Sequence, residues 1–104
     1  MYSRVTLLDV DTLRTDVDEV LEQFKNGVMP RVREVPGYEG VVVMLTPEGK
    51  GMIVSFWESE EAAEASAGLA ASLVEEFVTI YRSPAGREHY EVVYVEPPKV
   101  AIEA

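Results

Sequence analysis

Apolar and polar residues alternate along the chain in patterns that predict four strands and two helices. Each strand-like segment is short, rich in β-branched and aromatic residues, and bounded by turn residues; the four segments are 2–10, 40–45, 51–57 and 88–96. Apolar residues recur every three or four positions from Leu13 to Val35, which predicts a helix. Gly27 is suited to cap its end, but the apolar phase continues beyond Gly27 and predicts a helix that runs past Pro30 with a kink. A second helix is predicted after Ser59, a residue suited to cap its first turn, and runs towards Phe77.

The connecting segments carry turn residues and define one domain. Residues 46–50 contain proline and glycine and join the second and third strands as a hairpin. Residues 83–86 predict a turn before the last strand. The end of the second helix stays open, because residues 77–81 also fit an extended conformation. We expect a single domain over 1–98, followed by a tail at 99–104.

The order strand, helix, strand, strand, helix, strand predicts an α+β fold of the ferredoxin-like βαββαβ type. Such a fold has a four-stranded antiparallel sheet with both helices on one face. The third strand is apolar on both sides, because Met52, Val54 and Phe56 alternate with Ile53 and Trp57. We expect a second copy of the chain to cover the side that the helices leave open, so that two sheets pack into a dimeric α+β barrel. A monomer with an exposed apolar face, or a sheet that binds another protein, is the alternative.

Composition and charge narrow the classes of partner. The 104 residues include 19 acidic and 9 basic side chains, with a formal net charge of −10. Nucleic acid and anionic membrane surfaces are therefore poor partners. The chain has no cysteine, which excludes disulfides, cysteine-ligated metals and thiol chemistry. Its apolar runs are too short to span a membrane and its N-terminus lacks a signal-peptide pattern, so we expect a cytoplasmic protein.

Several local motifs occur together in this chain. They are a Pro36-Gly37-Tyr38 step, a glycine-lysine-glycine hairpin around Lys50, the strand end Ser55–Glu60 and a closing strand around Tyr90. With these motifs the chain resembles the antibiotic-biosynthesis-monooxygenase-like family of dimeric α+β barrel proteins. The resemblance implies a homodimer through the sheet face. Characterised members of this family include cofactor-free oxygenases of reduced polycyclic quinones, quinol oxygenases and haem-degrading enzymes. The resemblance implies an activity of one of these kinds.

The resemblance carries over few functional residues. Trp57 matches the tryptophan that ends the third strand in haem-degrading and quinone-forming members. Those enzymes pair this residue with a pocket asparagine, whereas the only asparagine here, Asn26, falls near the end of the first helix. Haem-degrading members also ligate iron with a histidine on the second helix, which has none here. The resemblance thus argues against haem degradation, and we expect no cofactor and no metal site.

Five residues are candidates for a functional site. Trp57 can stack on a flat ligand and donate its N–H, although a core residue that closes the barrel fits the same position. His89 can act as a general base near neutral pH, although the acidic residues beside it also suggest a surface ion pair. Arg4, Tyr90 and Tyr94 would contribute a cation and hydroxyls to substrate binding, and a dimer contact is enriched in the same residue types.

Two functions stay open from the sequence. One is binding of a small aromatic or quinone-like molecule, with cofactor-independent monooxygenase chemistry in which the electron-rich substrate itself reacts with oxygen. The other is a non-catalytic ligand-binding or stress-associated structural dimer of the same fold. An open cavity beside Trp57 with several polar groups favours the first function, and a filled space favours the second.

Overall fold

A four-stranded antiparallel sheet forms one layer of the protein, in a computed structural model that describes residues 1–77 and 83–96. The spatial order of the strands is β2-β3-β1-β4. Their bounds are β1 (Tyr2–Asp9), β2 (Tyr38–Leu45), β3 (Lys50–Trp57) and β4 (Ser83–Glu91). All three strand pairings are antiparallel. The α+β fold of the ferredoxin-like type that the element order predicts is confirmed.

The first helical region is interrupted but continues past Pro30, as its apolar phase predicts. It consists of α1 (Val17–Gln23), a π-helical segment (Phe24–Val28) and α2 (Met29–Val32). The Asp16 carboxylate accepts a hydrogen bond from the Glu19 N–H at 2.7 Å and caps α1. The N–H of Met29 donates to the carbonyl of Phe24, five residues back, so the distortion lies in the turn before the proline.

The second helix, α3 (Glu60–Phe77), begins where the sequence predicts. The Ser59 hydroxyl accepts a hydrogen bond from the Ala62 N–H at 3.1 Å, which confirms Ser59 as the capping residue. The helix extends to Phe77. An extended conformation was the alternative for residues 77–81, and residues 78–81 lie outside the described part of the chain. The predicted domain boundary at residue 98 and the tail 99–104 also lie outside them.

The last strand differs from its prediction at both ends. β4 spans Ser83–Glu91, so the turn predicted at 83–86 is wrong, and residues 92–96 form no regular strand. β4 is an edge strand that pairs only with β1. An edge strand tolerates Pro84, because a proline costs no hydrogen bond on the side that faces no neighbour. Turn residues are therefore a poor signal for a strand boundary at this edge.

The main core lies between the sheet and the helices. Its members are apolar and buried: Leu8, Val10, Val20, Phe24, Val28, Met29, Val32, Ile53, Trp57 and Ala63. Successive residues of a strand face opposite sides. Ile53, Ser55 and Trp57 thus lie on the helix side of β3, while Met52 and Val54 lie on the other.

The side of the sheet away from the helices, here called the open face, is also apolar. The exposed apolar residues on it are Leu7, Val42, Met44 and Tyr90, next to half-buried Val5, Met52, Val54 and Phe56. This arrangement confirms the two-sided apolar pattern predicted for the third strand. Among the described helices, none is long and apolar enough to cross a membrane.

Candidate functional site

Trp57, the last residue of β3, lies at one end of the sheet beneath the helices. Its side chain has no exposed surface. Its Cα pairs with Tyr2 on β1 and with Tyr38 on β2, so three aromatic residues cross the sheet in one row. The Tyr38 ring meets the indole edge-on, with ring centroids 5.8 Å apart and an interplanar angle of 74°. In this position Trp57 closes the core, as the structural interpretation of the sequence predicts.

Arg4 lies beside Trp57 on the helix side of β1 and is only 3% exposed. Its guanidinium carbon is 5.0 Å from the centroid of the indole, a cation–π distance. The Arg4 Nη1 donates to the Ala63 carbonyl at 2.8 Å and to the Ser66 Oγ at 2.8 Å. Ala63 and Ser66 are three residues apart on α3 and share one face of the helix. The small side chains of these two residues leave room for the guanidinium between sheet and helix.

Serine hydroxyls complete a buried polar network around the two large side chains. The Trp57 Nε1 donates to the Ser55 Oγ at 2.8 Å, and the Ser55 Oγ donates to the Arg4 carbonyl at 3.4 Å. The Ser66 Oγ donates to the Ala63 carbonyl at 3.0 Å. Arg4, Ser55, Trp57 and Ser66 are called the Arg4–Trp57 site below. The site combines a cation, a flat aromatic wall and hydroxyls, which is the set of groups that binds an aromatic ring bearing an anionic oxygen.

Two tyrosines flank the Arg4–Trp57 site as neutral phenols. The negative charge of Glu91 raises the pKa of Tyr2, and partial burial and the Glu60 carboxylate act in the same direction. Burial raises the pKa of Tyr38, and the charge of Arg33 opposes this rise. Both hydroxyls therefore keep their protons at neutral pH, and the Tyr2 hydroxyl already has the Glu60 carboxylate as a hydrogen-bond partner.

The structure brings together only some of the predicted site residues. Arg4 and Trp57 are in contact, and the backbone of His89 pairs with that of Arg4, near the end of β4 and not at its start. Tyr90 pairs with Ser3, lies on the open face and is 48% exposed. Tyr94 follows β4, is 76% exposed and donates its hydroxyl to Glu96 at 2.8 Å.

Ser55 and Ser66 are members of the site that the sequence did not single out. Ser55 is the only polar residue in the apolar run 52–57, and this interruption is a usable signal. Ser66 is one of several small residues along α3, so its role emerges only from the packing of that helix on β1. Ser66 could therefore be identified as part of the site only from the tertiary structure.

Two cavities in the described part of the chain lie away from Trp57. A groove of about 510 Å³ lies at the opposite end of the sheet, where the β2–β3 hairpin begins. A second cavity, of about 530 Å³, lies between this hairpin and the start of α1. Trp57 lines neither of them, and the guanidinium of Arg4 lies 5.0 Å from the centroid of its ring. Within residues 1–77 and 83–96, no group of three or more acidic or histidine side chains is arranged to hold a metal ion.

Comparison with known proteins identifies the family of this chain. The family model described as antibiotic biosynthesis monooxygenase matches residues 5–73. No curated protein matches the chain significantly.

Solved structures share the fold over almost the whole chain. A monooxygenase from the gene ActVA-Orf6 of Streptomyces coelicolor, in complex with nanaomycin D, has a TM-score of 0.70 at 21% identity, covering 94% of this chain and 92% of that one. The heme-degrader MhuD of Mycobacterium tuberculosis, with two hemes in its active site, has a TM-score of 0.69 at 20% identity, covering 93% and 100%. A putative antibiotic biosynthesis monooxygenase from Nitrosomonas europaea has a TM-score of 0.68 at 14% identity, covering 90% and 100%. At these identities the similarity is one of fold.

Proposed function

Because this chain belongs to the antibiotic biosynthesis monooxygenase family, we propose that it binds a small planar aromatic molecule between the sheet and α3, beside Arg4 and Trp57. The observation that carries the proposal is the guanidinium of Arg4 held 5.0 Å from the indole centroid in the protein interior. Removing a charged side chain from water is costly, so the burial of Arg4 is weak evidence of a purely stabilising role. A polar group retained at such a position is a candidate for function.

The chemistry of the Arg4–Trp57 site suits an aromatic ring that carries an anionic oxygen. The indole offers a stacking surface, and the guanidinium binds phenolate or enolate oxygen through charge-assisted hydrogen bonds. Low solvent exposure strengthens both interactions relative to water. Ligand entry then requires the guanidinium to move from its place above the indole onto the ligand.

Oxygenation in this site needs no cofactor when the substrate is electron-rich. A methylene carbon that lies between two aromatic rings and is conjugated with a carbonyl group, as in anthrone, loses a proton to give an enolate, and this anion donates electrons to O₂. The hydroperoxide formed on that carbon then loses water, so that R₂CH₂ + O₂ gives R₂C=O + H₂O. We propose His89 as the base that accepts the proton and Arg4 as the group that stabilises the enolate oxygen.

Relatives support a ligand-binding role without defining the ligand. The Streptomyces coelicolor monooxygenase binds nanaomycin D and the Mycobacterium tuberculosis heme-degrader binds heme on the same fold. This chain has no histidine in its second helix and no asparagine on its first strand. An aromatic molecule smaller than heme is therefore the ligand class that we propose.

We also propose that the protein is a cytoplasmic homodimer whose two copies meet through their open faces. Leu7, Val42, Met44 and Tyr90 are each 41–51% exposed on this face. Contiguous apolar surface of this kind is uncommon on a monomer and typical of a protein contact. A sheet-to-sheet contact between two identical copies buries the same residues on each.

A non-catalytic member of the family is the second candidate function. The observation that favours it is the filled space beside Trp57, whose side chain has no exposed surface. In that case the Arg4–Trp57 site serves packing, and the fold serves as a ligand-binding or structural dimer. The two functions differ in whether an aromatic substrate reacts.

The test is oxidation of anthrone to anthraquinone under heavy-isotope oxygen gas, followed by mass spectrometry of the product. The proposal predicts protein-dependent incorporation of one oxygen atom from O₂. The Arg4→Met and His89→Gln variants should lose this protein-dependent oxidation. The Lys25→Met variant, on the exposed side of the first helical region, should keep it. Turnover no faster than the uncatalysed reaction across a panel of anthrones and quinols would favour the non-catalytic function.

A further inference from the structure

The side chain of Arg4 joins β1 to α3 through its Nη1 atom. This nitrogen donates to the Ala63 carbonyl and to the Ser66 Oγ, each at 2.8 Å, and the Ser66 Oγ donates to the same carbonyl at 3.0 Å. All three residues are buried. Hydrogen bonds in the interior are stronger than the same bonds at a surface, because the local dielectric is low. These bonds therefore hold the guanidinium against the helix.

The guanidinium lies over the indole of Trp57, in what is called the closed position below. Its carbon is 5.0 Å from the ring centroid, and the Trp57 side chain has no exposed surface. We take the ligand site from the proposed function, on which this inference rests. A planar ligand that stacks on the indole has to displace the guanidinium, so it binds a second arrangement in which Arg4 has moved.

Ser66 is the residue through which the sequence controls the closed position. The Ala63 carbonyl belongs to the main chain, whereas the Ser66 hydroxyl is a side-chain acceptor that a substitution removes. Alanine at position 66 keeps the helix, because alanine is the strongest helix former. The Arg4 side chain is then held less strongly against α3.

We propose that Ser66 sets the ligand affinity of the Arg4–Trp57 site by holding Arg4 in the closed position. When a ring with an anionic oxygen binds, the Arg4 Nη1 exchanges its hydrogen bond to the Ser66 hydroxyl for one to the ligand oxygen. The free energy needed to leave the closed position is subtracted from the binding free energy, so a weaker hold on Arg4 gives a tighter complex. Ser66 is therefore a positioning residue that acts on the ligand through Arg4.

The direction of the change in affinity separates this role from a purely structural one. If Ser66 only packed α3 on the sheet, loss of its hydroxyl would destabilise the protein and leave the ligand affinity unchanged or lower. If Ser66 holds Arg4 in the closed position, the same substitution destabilises the protein and yet tightens binding. Lower stability together with higher affinity is a result that packing alone does not produce.

Titration of Trp57 fluorescence with 2-hydroxy-1,4-naphthoquinone, an anion at neutral pH, measures the affinity. We expect the Ser66→Ala variant to bind about fivefold more tightly than the wild type, which is the change that loss of one hydrogen bond of ordinary net strength produces. The Ser66→Thr variant keeps a hydroxyl and should bind as the wild type does. Ser72→Ala, at an exposed position of the same helix, is the matched control and should also keep the wild-type affinity.

Acrylamide quenching of Trp57 is a second measurement, and it needs no ligand. Acrylamide is a small neutral quencher that has to approach the indole, so its quenching constant reports how often Arg4 leaves the closed position. We expect a larger constant in Ser66→Ala than in the wild type, Ser66→Thr and Ser72→Ala. All four proteins are measured at a temperature where they are folded.

Two results would overturn this inference and leave the proposed function standing. They are equal or weaker quinone binding by the Ser66→Ala variant, and an acrylamide quenching constant of this variant equal to that of the wild type. Linear quenching of the wild type by the quinone would overturn the proposed function and this inference together. The wild-type titration therefore distinguishes the two failures.

Discussion

The guanidinium carbon of Arg4 lies 5.0 Å from the centroid of the Trp57 ring, and both side chains are buried. Hydrogen bonds from Arg4 to Ala63 and Ser66 on α3 and from Trp57 to Ser55 hold this pair in place. The pair lies in a mainly apolar interface between the sheet and the helices. It gives a stacking surface and a cation in one place, which is the basis of the ligand class proposed above.

Removal of the Ser55 hydroxyl should destabilise the protein through Trp57. In Ser55→Ala the buried indole N–H loses its acceptor at 2.8 Å. An unsatisfied buried donor costs about 1–3 kcal/mol in the free energy of unfolding. Urea unfolding followed by tryptophan fluorescence measures this loss. Ser72→Ala, at an exposed position of α3, is the matched control and should be neutral or slightly stabilising. Equal midpoints for the two variants would show that the hydrogen bond contributes nothing.

The glycine before β2 should tolerate no side chain. Gly37 has a φ of +87°, and a Cβ added there would lie 2.6 Å from the Cβ of Ala62 on α3. Gly37→Ala should therefore lower the free energy of unfolding by about 1–3 kcal/mol. Gly68→Ala, where no atom lies within 4 Å of the added carbon, should instead raise it by about 0.5–1 kcal/mol. Thermal unfolding of both variants measures the difference, and a Gly37→Ala variant as stable as the wild type contradicts the close packing of this loop on α3.

Hydrophobic periodicity was sufficient to predict the elements and the fold, because burial on one side of a strand or helix leaves a local repeat. It was not sufficient for the Arg4–Trp57 contact, since these residues are 53 positions apart and meet through the register of β1 on β3. The predicted start of β4 at residue 88 was wrong for a different reason. Residues 83–86 have the chemistry of a turn, and an edge strand with one neighbour accommodates them.

Alkaline pH should destabilise the protein through Tyr2. The negative charge of Glu91 raises the pKa of Tyr2 above its ordinary value of 10.0 in the folded state. The folded protein therefore holds this proton more tightly than the unfolded chain, and stability falls as pH rises above 10. We expect a smaller loss above this pH in Tyr2→Phe and a lower tyrosine pKa in Glu91→Gln, measured by the phenolate absorbance. Glu64→Gln, at an exposed position of α3, should leave the titration unchanged. A titration of Glu91→Gln identical to that of the wild type would exclude Glu91 as the cause.

A charge at the centre of the open face should dissociate the proposed dimer. Val54 lies between Val5 and Val42 in the register of the sheet and is half-buried. Wild-type protein should show twice the chain mass of 11.6 kDa by light scattering, and Val54→Glu should show the mass of one chain. A buried, unpaired carboxylate in the contact is the physical reason. Leu69→Glu places the same charge on an exposed apolar residue of α3 and should remain dimeric. A wild-type mass of 11.6 kDa at micromolar concentration would contradict dimerisation.

The binding claim for the Arg4–Trp57 site is tested most directly by quenching of the single tryptophan with a matched pair of quinones. 2-Hydroxy-1,4-naphthoquinone is an anion at neutral pH and 1,4-naphthoquinone is not, so the difference between their affinities reports the contribution of the Arg4 cation. We predict that both quinones quench the fluorescence of Trp57 saturably and that the anion binds about tenfold more tightly. The Arg4→Met variant should lose this tenfold preference for the anion. The substitution removes the two hydrogen bonds from Arg4 to α3 and should cost about 1–3 kcal/mol in stability, so binding is compared at a temperature where both proteins are folded. Saturable quenching with the same preference for the anion in Arg4→Met, or linear quenching by both quinones in the wild type, would contradict the account.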